Sequence, residues 1–268
     1  MNCCLRSVAV TLLLAAGCNC AFSASPVRIA LLTPLSGPMA LQGESVSRQL
    51  HAAADDINAQ GGLFGGAKIE IVDFDDQLSP QQGLIALQSA ISRDIRFVTQ
   101  GLGSSVGLAL SDGIAKHNVR NPAKSVLFLN YGGLDPEMTN SKCHFWHFRF
   151  DAHTDMRVNA LAEYLRKRPA MRKVYLINQD YAWGQSVGRA GEGNLKVLVP
   201  WVRDAADTRS ARFADDFKDK TGDDWSFEPF RHMLRMLVAA TNQAQSVEPL
   251  AVAKALEGMR IAGKPSGG

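Results

Sequence analysis

A stretch rich in glycine and serine, residues 100–107 (Gln-Gly-Leu-Gly-Ser-Ser-Val-Gly), joins a predicted strand to a predicted helix. It places Ser104 and Ser105 at the start of that helix. The amide N–H groups of a first helical turn lack partners within the helix and lie at its positive end, so with two hydroxyls they suit an anion. Plain N-capping by a serine is the alternative interpretation. We therefore predict a ligand contact at Ser104 and Ser105.

Two clusters of ionisable residues suggest other chemistry. Asp73, Asp75 and Asp76 end a predicted strand just before a helix, so capping and loop hydrogen bonds are expected there, rather than paired acid–base catalysis. His144 and His147 lie three residues apart, so on a strand they point to opposite faces. We therefore expect no metal site at these histidines unless the segment bends.

The sequence carries no pattern that identifies an enzyme. It has no Walker lysine, and Gly101-x-Gly103 lacks the third glycine of a dinucleotide-binding turn. The 29 Lys and Arg residues against 26 Asp and Glu give a net charge of only +3, too small for a nucleic-acid surface. We predict no catalytic residue, cofactor or metal, and no nucleic-acid partner.

Strands and helices alternate along the chain, which indicates βαβ units around a parallel sheet. Strands are predicted at residues 27–33, 68–74, 96–99, 125–130, 145–150, 173–178 and 195–202. Helices are predicted at residues 44–60, 104–117, 154–167, 211–220, 229–245 and 249–259, with another beginning at Pro80. Ligands of such sheets bind beyond the carboxyl ends of the strands, where residues 100–107 fall.

An aromatic pair follows the predicted strand at residues 173–178. Tyr181 and Trp183 would lie at the carboxyl edge of a second sheet, where an aromatic wall covers a ligand held by the first one. Alternatively, Trp183 is a core residue that packs beneath its turn.

The amino terminus reads as an export signal. Residues 7–17 form an apolar run too short to span a bilayer, and small residues near position 23 predict cleavage before Ala24. A buried amino-terminal helix and a lipid anchor at Cys18, which follows Ala-Ala-Gly, are the alternatives. Cys143 is then the one cysteine certain to remain after cleavage, so no internal disulfide is expected.

Six short motifs occur in order between residues 27 and 187. They are Ala30-Leu-Leu-Thr-Pro-Leu-Ser-Gly-Pro38, Ala54-Asp-Asp-Ile-Asn-Ala-Gln-Gly-Gly62, Asp73-Phe-Asp-Asp76, Gly103-Ser-Ser105, Asp135-Pro-Glu-Met-Thr139 and Asp180-Tyr-Ala-Trp-Gly184. Together they resemble the type I periplasmic substrate-binding proteins of ABC transporters, in the leucine/isoleucine/valine-binding branch. Residues 213–217 and 253–258 also resemble the closing helices of that family.

The resemblance implies two Rossmann-like α/β lobes that close on a small ligand at a hinge. It further implies that the ligand carboxylate is held by the positions that match Ser104, Ser105, Gly132 and Gly133. Trp183 matches the aromatic that packs against the ligand side chain. Gln42 replaces an aromatic residue that the family carries in lobe one, and Leu134 replaces a residue with a hydroxyl group. Both departures weaken the case for a simple aliphatic amino acid.

The resemblance also implies an incomplete second lobe. Several strand–helix units expected after residue 184 are missing, together with the acidic residue that receives the ligand ammonium. We therefore interpret residues 1–23 as the signal peptide, 24–143 as lobe one, and 144–268 as a remnant of lobe two plus the closing helices. The chain is interpreted as internally deleted and truncated at its carboxyl end.

Two consequences are expected from an incomplete second lobe. The apolar helix face formed by Met233, Leu234, Leu237 and Val238 should be exposed and favour association. Amino acids should bind weakly or not at all, because an ammonium without its partner charge loses about 2–5 kcal/mol.

The resulting functional hypothesis is an exported solute-binding protein that delivers a small carboxylate, such as a branched-chain amino acid, to the permease of an ABC importer in the periplasm. A ligand-sensing regulator of the same fold and a non-binding remnant are the alternatives. Adjacent permease and ATPase genes would favour transport, and an adjacent kinase would favour sensing.

Overall fold

The computed structural model describes residues 25–167, 187, 189, 208–226 and 228–260. The strands are β1 (Val27–Thr33), β2 (Ile69–Asp75), β3 (Phe97–Gln100), β4 (Leu127–Asn130) and β5 (His147–Arg149). The helices are α1 (Ala40–Ala59), α2 (Pro80–Ser92), α3 (Ser104–Arg120), α4 (Thr154–Arg166), α5 (Thr208–Thr221), α6 (Glu228–Ala244) and α7 (Pro249–Leu256). Trp183 and the strands expected at 173–178 and 195–202 lie outside the described residues.

The five strands form one parallel sheet in the order β2-β1-β3-β4-β5. The predicted α/β fold class is confirmed. In β1 every residue except Arg28 is buried, as expected of a strand with helices on both faces. Because all strands run in one direction, their carboxyl ends and the turns that follow them meet at one edge.

Helices cover both faces of this sheet. Val98 and Phe128 lie on one face in a cluster with residues of α2 and α3. Phe97 and Leu129 lie on the other face with residues of α1, α6 and α7. This alternation follows from the two-residue period of a strand, which sends neighbouring side chains to opposite faces.

Helix α1 begins four residues before the predicted start at residue 44. The Gly43 amide donates to the Met39 carbonyl (3.0 Å), and the Ala40 amide donates to the Gly37 carbonyl (3.1 Å). These bonds extend the helical turn through Gln42, although the nearby glycines and prolines read as a loop in the sequence.

The expectation of an exposed apolar face on α6 is wrong. Met233, Leu234 and Leu237 are fully buried, and Val238 packs against the same cluster. The Thr99 hydroxyl of β3 lies 3.5 Å from the Met233 sulfur, which places α6 directly on the first sheet. The apolar face of α6 packs against an apolar face of the sheet, so that one contact buries both surfaces.

The first sheet also extends past residue 143, where the sequence suggested a boundary. Strand β5 pairs with β4 through His147, Phe148 and Arg149. A second lobe built from the later residues stays a prediction, because residues 168–186 and 190–207 lie outside the described part of the chain. Of the helices that the structure describes, none is both long and apolar enough to cross a membrane.

Candidate functional site

Two glycine-containing turns lie side by side at the carboxyl edge of the sheet. We call residues 101–105, between β3 and α3, the serine turn, and residues 131–135, after β4, the glycine turn. A Cβ atom on Gly101 would lie 2.5 Å from the Gly132 nitrogen and from the Tyr131 ring. The structure thus brings Ser104, Ser105, Gly132 and Gly133 to one edge of the fold, as predicted.

The serine turn begins helix α3 without a capping side chain. Gly103 occupies the N-cap position with φ of +82°, a conformation that favours glycine, and no side chain caps the helix there. Ser104 is buried and Ser105 is half-buried. Because no capping side chain bonds the amides of the first turn, the positive end of α3 is available to an anion.

In the glycine turn, the backbone amides are already engaged. Asn130 ends β4, and its side-chain oxygen accepts from the Gly132 amide (3.0 Å) and from the Gly133 amide (2.6 Å). Leu134 is buried, and its carbonyl accepts from both the backbone amide and the hydroxyl of Thr154 (3.0 Å each). A role for Gly132 and Gly133 in holding a ligand carboxylate stays a proposal. Their amides do not support it, because both already donate to Asn130.

Buried polar side chains lie behind these turns at the ends of the strands: Thr33, Asp76, Gln100, Asn130 and Tyr131. Burial raises the pKa of Asp76 to about 6, partly opposed by a hydrogen bond from the Leu78 amide. Burial, with a smaller contribution from Asp76, also raises the pKa of Tyr131. Sequence reasoning did not single out Asn130 or Tyr131. The available signal was a polar pair at the end of an apolar strand.

The acidic cluster makes loop and helix contacts, as predicted. Asp75 accepts hydrogen bonds from the Leu35 amide (2.8 Å) and the Ser36 hydroxyl (2.6 Å). Asp73 accepts from the Ser47 hydroxyl (2.7 Å). These bonds tie the loop after β1 and the helix α1 to the end of β2.

The segment that carries the two histidines bends before β5 begins. The ring centroids of His144 and His147 therefore lie 6.1 Å apart, closer than a straight strand allows. His144 contacts the Ser111 hydroxyl (2.7 Å) and accepts from the Trp146 amide (3.2 Å). Within the described ranges, no three His, Cys, Asp or Glu side chains are arranged to hold a metal.

Burial, followed by the nearby His144 and Arg149, lowers the pKa of His147 to about 3. The imidazole of His147 is therefore neutral near pH 7. Its two nitrogens contact the Asn130 side-chain nitrogen (3.1 Å) and the Met138 carbonyl (3.2 Å).

Gln42 lies exposed in the first turn of α1. A hydrogen bond from the Leu35 amide to Asp75 holds the loop before α1 at the edge of the sheet. Gln42 lies in the first helical turn after that loop. Its contact with a ligand stays a proposal.

The profile of the periplasmic binding protein family matches residues 26–196 of this chain. The chain belongs to the periplasmic binding protein family. Among the relatives of this periplasmic binding protein, Leu/Ile/Val-binding protein homolog 4 of Brucella abortus is 36% identical over 177 residues. That alignment covers 66% of this chain and 42% of the relative. This periplasmic binding protein thus spans less than half the length of that relative.

Solved structures share the fold. The leucine-, isoleucine-, valine-, threonine- and alanine-binding protein of Brucella ovis, in a closed conformation, aligns with a TM-score of 0.76 at 23% identity, covering 87% of this chain and 82% of that one. A branched-chain amino acid transporter substrate-binding protein of Streptococcus pneumoniae aligns with a TM-score of 0.67 at 14% identity, covering 86% and 87%. At these identities the likeness establishes the fold of this periplasmic binding protein.

Proposed function

We propose that this periplasmic binding protein captures a small carboxylate, such as a branched-chain amino acid, and delivers it to the permease of an ABC importer. The observation that carries the proposal is the serine turn, where an uncapped helix of 17 residues begins at the carboxyl edge of a parallel sheet. The relatives support the ligand class, since one is named a Leu/Ile/Val-binding protein homolog and one was solved with isoleucine.

The serine turn would hold the ligand by its carboxylate. Ser104 and Ser105 contribute the first amides of α3, and the positive end of the helix favours a negative charge there. A hydrogen bond to a charged group contributes about 1.5–3 kcal/mol. Gln42 and Trp183 are proposed to contact the rest of the ligand, in line with the family resemblance.

The test is a titration of the ¹⁵N-labelled protein with L-isoleucine, followed by NMR. We expect saturable shifts of the Ser104 and Ser105 amides with weak affinity, and much smaller shifts with L-isoleucinamide, which lacks the carboxylate. The Ser105→Ala variant keeps the amide and loses the hydroxyl, which is the second donor expected at this position. It should bind at least tenfold more weakly, since a lost hydrogen bond to a charged group exceeds about 1.4 kcal/mol.

Ser92→Ala is the matched control, because Ser92 lies exposed at the end of α2 and its hydroxyl donates only to the nearby Ser89 carbonyl (2.8 Å). Its affinity for isoleucine should equal that of the unaltered protein. Absence of any localised shift at the solubility limit of isoleucine would overturn capture of this ligand class and favour a non-binding remnant. Micromolar affinity would instead contradict the expectation of weak binding.

Export is part of the same proposal. The amino-terminal residue of protein recovered from the periplasm identifies the route: Ala24 for a cleaved signal peptide, or a lipid-modified Cys18 for an anchored protein. Cytoplasmic protein that retains residues 1–23 would contradict export.

A further inference from the structure

The conformation of the glycine turn depends on the orientation of one buried side-chain amide. The oxygen of Asn130 faces two backbone N–H groups, from Gly132 and Gly133, and only an oxygen can accept from them. Its nitrogen donates to the Gly133 carbonyl (3.1 Å). Reversing the amide would set N–H against N–H at both glycines.

His147 fixes that orientation from the neighbouring strand. Its Nδ1 atom lies 3.2 Å from the Met138 carbonyl, which can only accept, so Nδ1 carries the hydrogen. In a neutral imidazole Nε2 is then an acceptor, and it receives the Asn130 side-chain N–H at 3.1 Å. The Met138 carbonyl therefore selects the tautomer, and the tautomer selects the direction of the Asn130 amide.

A second residue of β5 holds the far side of the same turn. The Arg149 guanidinium donates to the carbonyls of Gly133 (3.4 Å) and Asp135 (2.9 Å) and to the Thr139 hydroxyl. These contacts fix the carbonyls of the turn, whereas Asn130 is the side chain, among the residues that the structure describes, that contacts the amides of Gly132 and Gly133. The amide side of the turn thus depends on the Asn130–His147 pair.

We propose that His147 is a positioning residue that, through Asn130, keeps the amides of Gly132 and Gly133 bonded inside the protein and withholds them from a ligand. Of the four positions predicted to hold the ligand carboxylate, Ser104 and Ser105 are then the two whose amides offer donors to it. The internal bonding of the Gly132 and Gly133 amides is independent of the proposed function, whereas the role of the serine turn toward a ligand rests on it. A donor that is already satisfied inside the protein gains little by changing partners, whereas the first amides of α3 have no partner within the helix to give up.

The unaltered protein provides the first test. Long-range ¹H–¹⁵N spectra should show the His147 imidazole as the Nδ1–H tautomer at pH 7. Scalar couplings across the hydrogen bonds should connect the Gly132 and Gly133 amide nitrogens to the Asn130 side-chain carbon. An Nε2–H tautomer, or the absence of both couplings, would overturn the proposal.

Variants provide the second test. His147→Phe removes the acceptor, and we expect loss of the couplings together with isoleucine-induced shifts of the Gly132 and Gly133 amides, which are then no longer withheld. His147→Gln should restore the couplings and remove those shifts, because its amide offers an oxygen to Asn130 and an N–H to Met138. His144→Phe is the control: its partners are Ser111 and Trp146, so the couplings and affinity should stay unchanged.

These outcomes separate the two proposals. If isoleucine shifts no residue of the unaltered protein while the couplings are present, capture of this ligand fails and the positioning of the turn stands. If isoleucine binds and shifts the Gly132 and Gly133 amides with loss of their couplings, withholding fails and capture stands. If His147→Phe keeps the couplings, His147 does not position the turn. Should that variant fail to fold, His147→Gln and the spectra of the unaltered protein decide.

Discussion

The serine turn and the glycine turn follow neighbouring strands, and each is preceded by a buried side-chain amide. Gln100 ends β3, Asn130 ends β4, and the two residues are paired in register. The longer Gln100 side chain donates its N–H groups to the carbonyls of Leu102 and Gly103. The shorter Asn130 presents its oxygen to two amides.

The two side chains differ by one methylene and bond opposite groups of their turns, carbonyls in the serine turn and amides in the glycine turn. Gln100 bonds carbonyls and leaves the amides at the start of α3 without a capping side chain, whereas Asn130 occupies the amides of Gly132 and Gly133. A run of glycines after a strand therefore indicates close backbone approach, but the last residue of the strand determines whether the amides are available.

Acid should weaken the glycine turn most strongly. The folded protein holds His147 neutral, with a pKa of about 3 against an ordinary value of 6.5. Between these values the unfolded chain binds the extra proton, so stability rises with pH across that window and is lost as pH falls. The full loss is roughly 4–5 kcal/mol below pH 3. Urea unfolding at pH 7.5 and pH 4 measures the part of this loss that is reached by pH 4, about 3 kcal/mol.

His147→Gln should flatten this dependence, since it keeps the hydrogen bonds and removes the titrating group. The difference between the unaltered protein and the variant should change by about 3 kcal/mol from pH 7.5 to pH 4. A difference that does not vary with pH would show that His147 is solvated in the folded state.

Beside the serine turn the dependence should be reversed, with stability falling as the pH rises. Asp76 bonds the Leu78 amide, and a Cβ on Gly103 would lie 2.6 Å from the Leu78 side chain. Burial raises the pKa of Asp76 to about 6 from 3.8, so its contribution is fully present below pH 3.8 and lost as pH rises through about 6. Asp76→Asn should therefore raise the free energy of unfolding at pH 8 by about 3 kcal/mol.

The gain should nearly vanish at pH 3.5, where Asp76 of the unaltered protein is protonated in the folded state and mostly protonated in the unfolded state. Asp75→Asn is the contrasting variant, because the oxygens of Asp75 accept from Leu35, Ser36 and Gln77. It should lower stability. An Asp76→Asn protein that is no more stable at pH 8 than the unaltered one would contradict the assigned cost of this carboxylate.

The contact between the two turns should show the smallest effect. Gly101→Ala places a methyl group 2.5 Å from the Gly132 nitrogen and the Tyr131 ring, and such overpacking costs about 2 kcal/mol. Gly113→Ala, within α3, meets only the flexible ends of Leu84 and Leu87, and alanine is favoured over glycine by up to about 1 kcal/mol in a helix. Thermal unfolding should thus shift in opposite directions. Equal shifts would show that the turns adjust freely.

Much of the first sheet could be predicted from the sequence. Strand β1 matches its predicted range of 27–33, since a continuous apolar run is bounded by a proline and a loop. Ser104 begins α3 as expected, because the glycines before it interrupt the pattern. Local signals of this kind suffice wherever the chain alone determines the element.

The sequence could not show which surfaces meet. The apolar stripe of α6 was visible, but a stripe does not identify the sheet that it covers, and Met233 lies on the first sheet. The pairing of Asn130 with His147 depends on the bend before β5 and on strand register. Neither follows from local spacing.

The covering of the first sheet by α6 has a consequence for how the chain tolerates change in length. Thr154 at the start of α4 bonds the Leu134 carbonyl, and Phe217 of α5 lies in the same core as Leu129. Residues 167 and 208 therefore belong to helices that are anchored on one scaffold. Because doubling the length of a loop costs only about 0.6 kcal/mol, residues inserted between these two anchors should leave the scaffold folded.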